Sequence, residues 1–270
     1  MVERPPLMEV CNMCDYIQPA TETVKEPPTI LFELIGVTKC YRVKGRQPIK
    51  VLDGVSLAIE KGNVTGIVGP SGCGKTTLMN LLGATDYPDK GIIKYMGREM
   101  DARNSRFAEL FRRNCIAWVF QRSNLIGHFD VLNNVTLPLC MKGLSFADAR
   151  DKALRCLHDV GVRHVYRERV STISGGEAQR VTIARALASG TPVILADEPS
   201  GSLDAKNTEI VMTLLNRLNT VRKVSVIIIT HDISMARKHC DVIIDMQLLT
   251  SGRVSPGTAY HGVAAREYRR

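Results

Sequence analysis

The sequence predicts an α/β fold built on a largely parallel sheet covered by helices. Three observations predict it. Short apolar runs at 64–68 (VTGIV), 192–198 (PVILADE) and 224–230 (VSVIIIT) have the continuous hydrophobicity of buried strands. Segments with helical spacing alternate with them, at 175–189 and 207–221. A glycine-rich turn, GPSGCGKTT at 69–77, joins the first strand to the start of a helix near Lys75.

The elements follow in order. Residues 1–28 are rich in proline, threonine and glutamate and lack periodicity, which predicts a flexible tail. From Thr29 strand-like runs begin, ILFELIGV and then VLDGVSLAI, the second alternating as a half-buried strand does. CIAWVFQ (115–121) reads as a strand. The stretch from about 122 to 180 lacks strand signals and reads as a helical insertion, in which Phe146, Ala149, Ala153, Leu154 and Leu157 share one face of a helix over 145–160. The chain then returns to strand and helix, and its last 20 residues, ending REYRR, read as loosely ordered and basic. The folded unit is expected over 29–255, with a basic tail at 256–270.

With 270 residues, 44% hydrophobic and 23% charged, the chain can bury a sizeable core unaided. No apolar run approaches the roughly 20 residues that span a bilayer, and the opening MVERPPLMEV lacks an apolar secretory core, so a cytosolic protein is expected. The eight cysteines are scattered, which argues against a disulfide framework. Only Cys11 and Cys14 are close; a metal or redox pair is one reading, although no second pair lies nearby. The net charge of +9 fits nucleic acid, an anionic membrane surface or a merely basic exterior, and does not choose among them.

The chemistry starts at the glycine-rich turn. Gly69–Thr76 fits G-x-x-x-x-G-K-[ST] in full, through Pro70, Ser71, Gly72, Cys73, Gly74 and Lys75. Its glycines permit close backbone approach, and successive N–H groups at a helix N-terminus form an anion nest. Lys75 would neutralise β- and γ-phosphates, the Thr76 hydroxyl would ligate Mg²⁺, and Thr77 follows on the same turn. The thiol of Cys73, inside the loop, is expected to face the nucleotide. VILADE ends a buried strand in two acids, suited to a metal (Asp197) and to polarising water (Glu198). A third segment, ISGGEAQR at 173–180, opens a helix with serine, two glycines and an acid, which is a second anion cradle about 100 residues on. A side chain at Gly176 is expected to face whatever that cradle holds.

Together these residues resemble the ATP-binding cassette (ABC) ATPases over roughly 29–255. That resemblance implies a RecA-like parallel-sheet core, an antiparallel β subdomain and an inserted helical subdomain. It also implies ATP and Mg²⁺ as cofactors. Tyr41 resembles the aromatic that stacks on adenine, and Gln121 the glutamine that touches Mg²⁺ and senses the membrane partner. Ser174, Gly175, Gly176 and Glu177 resemble the signature loop, Asp204 in SGSLD the loop at the dimer seam, and His231 the switch histidine at the γ-phosphate. Within the family, FQRSNLIGHFDVLNNVTLPL, ISGGEAQRVTIARAL and DEPSGSLD are similar to the lipoprotein-releasing, macrolide- and peptide-efflux and cell-division branch. The resemblance implies a head-to-tail homodimer, with ATP between Lys75 of one copy and Ser174 of the other. It implies integral membrane permease subunits as partners and a peripheral position on the cytoplasmic face of a membrane. The apolar segment Leu125–Leu139 is expected to receive a helix of that partner. Two alternatives belong to other classes: a mechanochemical regulator of cell-wall enzymes that moves no substrate, and a soluble nucleic-acid ATPase. ATPases of the second kind tend to carry two cassettes, long coiled coils or zinc modules, none of which this sequence shows, so no specific nucleic-acid partner is expected.

Overall fold

A computed structural model describes residues 29–42, 45 and 47–250. The two expected tails, with Cys11 and Cys14, lie outside the described residues. Two sheets form. The antiparallel one runs β2 (Ile49–Glu60), β1 (Ile30–Tyr41), β4 (Lys90–Tyr95), β5 (Arg98–Glu99). The parallel one runs β6 (Ile116–Phe120), β7 (Val193–Asp197), β8 (Ser225–Thr230), β3 (Val64–Val68), β9 (Val242–Asp245). Every residue of β3 and β8 is buried, which is why these strands read as unbroken apolar runs.

Eight helices complete the described residues: α1 (Lys75–Leu82), α2 (Ser105–Cys115), α3 (Val131–Met141), α4 (Phe146–Asp159), α5 (Gly175–Ser189), α6 (Ala205–Arg222), α7 (Ile233–His239) and α8 (Met246–Thr250). Their starts are chemically marked. The side chains of Asn104, Asp130, Ser145, Asp204 and Asp232 accept N–H bonds at the starts of α2, α3, α4, α6 and α7. One core joins the antiparallel sheet, α1 and one face of the parallel sheet, through Phe32, Leu34, Leu78, Leu82, Leu195 and Ile227 among others. A second lies on the opposite face, where Val135, Leu139, Ala153, Leu157, Ile183 and Leu215 meet. Full burial of each such Leu contributes on the order of 2 kcal/mol. Among the described residues, no helix is long and apolar enough to cross a membrane.

The stretch 122–180 holds α3, α4, two single turns of 3₁₀ helix and the start of α5, plus one isolated bridge between Asp130 and Arg169. Two details differ from expectation. Phe146 leaves the inner face of α4 and is 64% exposed, because it occupies the first turn beyond the packed surface. The strand expected from Cys115 starts at Ile116; Cys115 ends α2, which runs into β6 without a loop.

The strand order decides where the site forms. β8 lies between β7 and β3, in register, with Asp197 opposite Ile229 and Val68 opposite Thr230. The residues just beyond the C-terminal ends of these three strands therefore gather on one edge, as ligands require in open parallel sheets.

Candidate active site

The glycine-rich turn is built as an anion cradle. Gly74 caps α1 with φ of 95°, a left-handed backbone that favours glycine. A Cβ there would also meet the side chains of Leu52 and Val51 at 3.0 and 3.1 Å, so the turn must pass close to β2. Lys75 is buried, and its ammonium donates to the carbonyls of Gly69 (2.7 Å) and Pro70 (2.9 Å). The lysine thus curls back over its own loop. Thr76 is exposed at the head of α1, while Thr77 is buried and its hydroxyl reaches the phenol of Tyr41. The Cys73 thiol is half-buried against the core and lies 4.0 Å from the Lys75 ammonium.

Tyr41 stands at the end of β1, its hydroxyl donating to Asp86 Oδ2 at 2.9 Å. The other oxygen of Asp86 binds the ammonium of buried Lys39 at 2.5 Å. Burial raises the Tyr41 phenol and also opposes ionisation of Asp86. The bonds that Asp86 accepts from Lys39, the Tyr87 N–H and Tyr41 outweigh that burial and hold its carboxyl below the usual range.

At the last residue of β7, burial and the neighbouring Glu198 push the Asp197 carboxyl up, with Lys75 acting the other way. Glu198 has φ of 47°, a left-handed backbone that is strained for a residue with a side chain. Its N–H bonds the carbonyl of Ile229 at 3.0 Å, and its own carbonyl accepts from Gly201 N–H at 3.0 Å. These bonds fix the turn, so the Glu198 carboxylate meets His231 Nδ1 at 2.8 Å. Gln121, just past β6, lies against this turn: a Cβ added at Gly201 would come within 2.7 Å of its amide nitrogen.

A second group forms at the head of α5. Ser174 and Glu177 make a capping box: the Ser174 hydroxyl accepts from Glu177 N–H at 3.3 Å, and the Ser174 N–H donates to Glu177 Oε2 at 2.9 Å. The Ser174 hydroxyl also donates to that carboxylate at 2.6 Å, and His164 Nε2 lies 3.0 Å from its other oxygen. The Ser174 hydroxyl first, then its N–H and His164, hold the Glu177 carboxyl below the usual range. Gly175 opens to free space, whereas a Cβ on Gly176 would run into the side-chain amide of Asn207. The expectation that a substituent at Gly176 faces outward is therefore corrected: that side belongs to α6, and Gly175 is the open position. Among the described residues, no hydrogen bond or ion pair links Ser174 or Glu177 to Lys75 or Thr76 of the same chain.

A family model described as "ABC transporter" matches residues 52–201, a span that holds the Lys75 loop, Gln121, Ser174 to Glu177, Asp197 and Glu198. The chain belongs to the ABC transporter ATPase family. The lipoprotein-releasing system ATP-binding protein LolD of Blochmanniella floridana is 38% identical over 190 residues, covering 70% of this chain and 81% of LolD. The macrolide export ATP-binding/permease protein MacB of Chlorobaculum tepidum is 40% identical over 217 residues, covering 80% of this chain and 33% of MacB. This chain therefore spans about a third of MacB's length. A solved dimer of the ATP-binding cassette MJ0796 bound to ADP and Pi is 38% identical, with a TM-score of 0.73, and covers 82% of this chain and 95% of its own. As an ABC ATPase the chain binds and hydrolyses adenine nucleotide.

In this ABC ATPase three residues near the site escaped the sequence reading: Asp86, Asn207 and His164. Asp86 and His164 lie 45 and 13 positions from their partners Tyr41 and Glu177. A carboxylate in ATDYPD or a histidine in VRHVY carries no local mark of a distant contact. Asn207 had a local signal, the spacing D-x-x-N of a helix cap, but its reach to Gly176 exists only once α5 and α6 pack.

Proposed function

We propose that this chain is the ATP-hydrolysing subunit of an exporter-type membrane complex, with residues 29–255 as its nucleotide-binding unit. Two copies meet head to tail beneath integral permease subunits on the cytoplasmic face. The observation that carries this reading is the Glu198–His231 contact of 2.8 Å at the strand edge that also holds the Lys75 loop. A carboxylate and an imidazole so joined can hold a water and a phosphate in line.

Lys75 would leave the Gly69 and Pro70 carbonyls for the β- and γ-phosphates, and the Tyr41 ring, steadied by Asp86, would stack on adenine. The residues fit Mg²⁺: Thr76, Gln121 and Asp197 offer hard oxygens, and the half-buried Asp197, beside a second carboxylate, has its ionised form disfavoured until a cation arrives. When bound, the ion would neutralise phosphate charge. Glu198 would orient the attacking water, His231 would hold that carboxylate and reach the γ-phosphate, and Ser174 to Glu177 with Asp204 would complete the site from the other copy. The dimeric cassette bound to ADP and Pi, similar over 95% of its length, supports the pairing. The exposed Leu137 and Met141 on α3 support a permease contact there.

LolD and MacB, by their names a lipoprotein-releasing and a macrolide-exporting protein, support export of a lipoprotein, peptide or drug-like molecule. The test is purification of the Glu198→Gln chain from detergent-solubilised membranes with Mg-ATP. Recovery of an integral membrane chain, together with ATP-dependent substrate release by the reconstituted parent complex, supports the reading. Coupled ATPase activity with no substrate moved would favour the regulator instead.

A further inference from the structure

Asn207 lies in the first turn of α6 and makes contacts in two directions. Toward its own helix, its N–H donates to Asp204 Oδ1 at 2.7 Å, and its side-chain amide donates to both Asp204 oxygens at 3.1 and 3.0 Å. Toward α5, its amide oxygen accepts from Arg180 at 3.2 Å, and its amide fills the space that a Cβ on Gly176 would take. An amide suits this post because it both donates and accepts. A carboxylate could serve Arg180 but would repel Asp204. An aliphatic side chain could serve neither.

We infer that Asn207 is a positioning residue that locks the Ser174–Glu177 loop to the Asp204 turn, so that the two elements presented to the second copy move as one body. This rests on the head-to-tail reading of the site. Its physical content is that Gly176 is glycine because of a neighbour in the same chain, and that the neighbour sets where Asp204 points. Loosening it leaves the Lys75 loop intact but blurs the geometry offered to the other copy's nucleotide, where misplacement by about 1 Å can cost about a hundredfold in rate.

The experiment uses the full chain in two backgrounds. In Glu198→Gln, Mg-ATP-dependent dimerisation is measured by sedimentation; in the parent, turnover and nucleotide affinity are measured. Asn207→Ala and the equal-volume Asn207→Asp are expected to bind nucleotide as the parent does and to unfold with the same cooperativity. Both are expected to lose about tenfold or more in kcat and in dimer affinity. A structural role alone would lower stability and leave the kcat-against-KM balance in place. The decisive arm is Gly176→Ala. Alone it displaces Asn207 and should be impaired; combined with Asn207→Ala it has room for its methyl group, and the pair should be no worse than Asn207→Ala by itself. Normal dimerisation and turnover in both Asn207 variants, or multiplying losses in the double variant, overturn the inference while leaving the functional reading standing. Absence of a Mg-ATP dimer in Glu198→Gln itself overturns that reading and the inference with it.

Discussion

Glu198 Oε1 and His231 Nδ1 lie 2.8 Å apart, although the residues follow different strands and are 33 positions apart in sequence. The contact exists because β7 and β8 are neighbours in register, and because the left-handed backbone of Glu198 turns its side chain across the strand ends. Removing either partner should strand the other.

Glu198→Gln is therefore expected to keep nucleotide binding within about twofold and to lower turnover by about a hundredfold or more. His231→Ala should lose nearly as much, and the double variant little more than the worse single one, because the two act as a unit. Single-turnover hydrolysis checks this; independent, multiplying losses would separate the pair.

Lys75→Ala should weaken nucleotide binding itself. A charge-assisted bond to phosphate is worth about 2 kcal/mol, or roughly thirtyfold in affinity. Calorimetric titration measures it, and an unchanged affinity would remove Lys75 from the phosphates.

Asp197→Asn should raise the thermal midpoint of the nucleotide-free protein while abolishing Mg²⁺-dependent activity. The Asp197 carboxyl is raised in the folded chain, so its share of stability is present below the ordinary carboxylate range and is lost as pH rises through the folded value. At neutral pH the carboxylate is a cost that the amide lacks. Equal midpoints for the two proteins at pH 7 would contradict this.

Glu177→Gln should be well tolerated, because an amide oxygen still accepts the Ser174 N–H. Glu177→Ala should cost about 1 kcal/mol through loss of the capping box. The Glu177 carboxyl is lowered on folding, so its contribution is present above the ordinary carboxylate range and fades as pH falls through the folded value. Unfolding curves of parent and Glu177→Ala should accordingly draw together in acid.

Much of this was legible in the chain because two physical signals are local. Continuous burial wrote β3, β7 and β8 as apolar runs, and the helix at 175–189 was visible within its own limits, since Ser174 caps it and Gly190 ends it in a left-handed turn. The antiparallel sheet was half visible: β4 is only six residues long and pairs with a strand more than 50 positions earlier, so its partner supplies the evidence. α2 hid because its last residue, Cys115, touches the first of β6, and no breaker separates a 3.6-residue period from a 2-residue one. In the site, backbone chemistry was readable at Gly74 and Lys75, but side-chain direction was not. A Cβ on Gly176 would point at Asn207 because α5 and α6 pack together, which no short window of sequence encodes.

The lysine curled onto its own loop gives the cradle a built-in competitor. With Lys75 already bonded to the carbonyls of Gly69 and Pro70, its charge is satisfied before any ligand arrives. A newcomer must offer oxygens that draw the ammonium more strongly than two amide carbonyls do. Phosphates meet that standard because they are anionic; neutral sugars and bare bases do not. On the proposed reading the loop would reject weak acceptors by default, and a Lys75 released by departing phosphates would have these two carbonyls to return to.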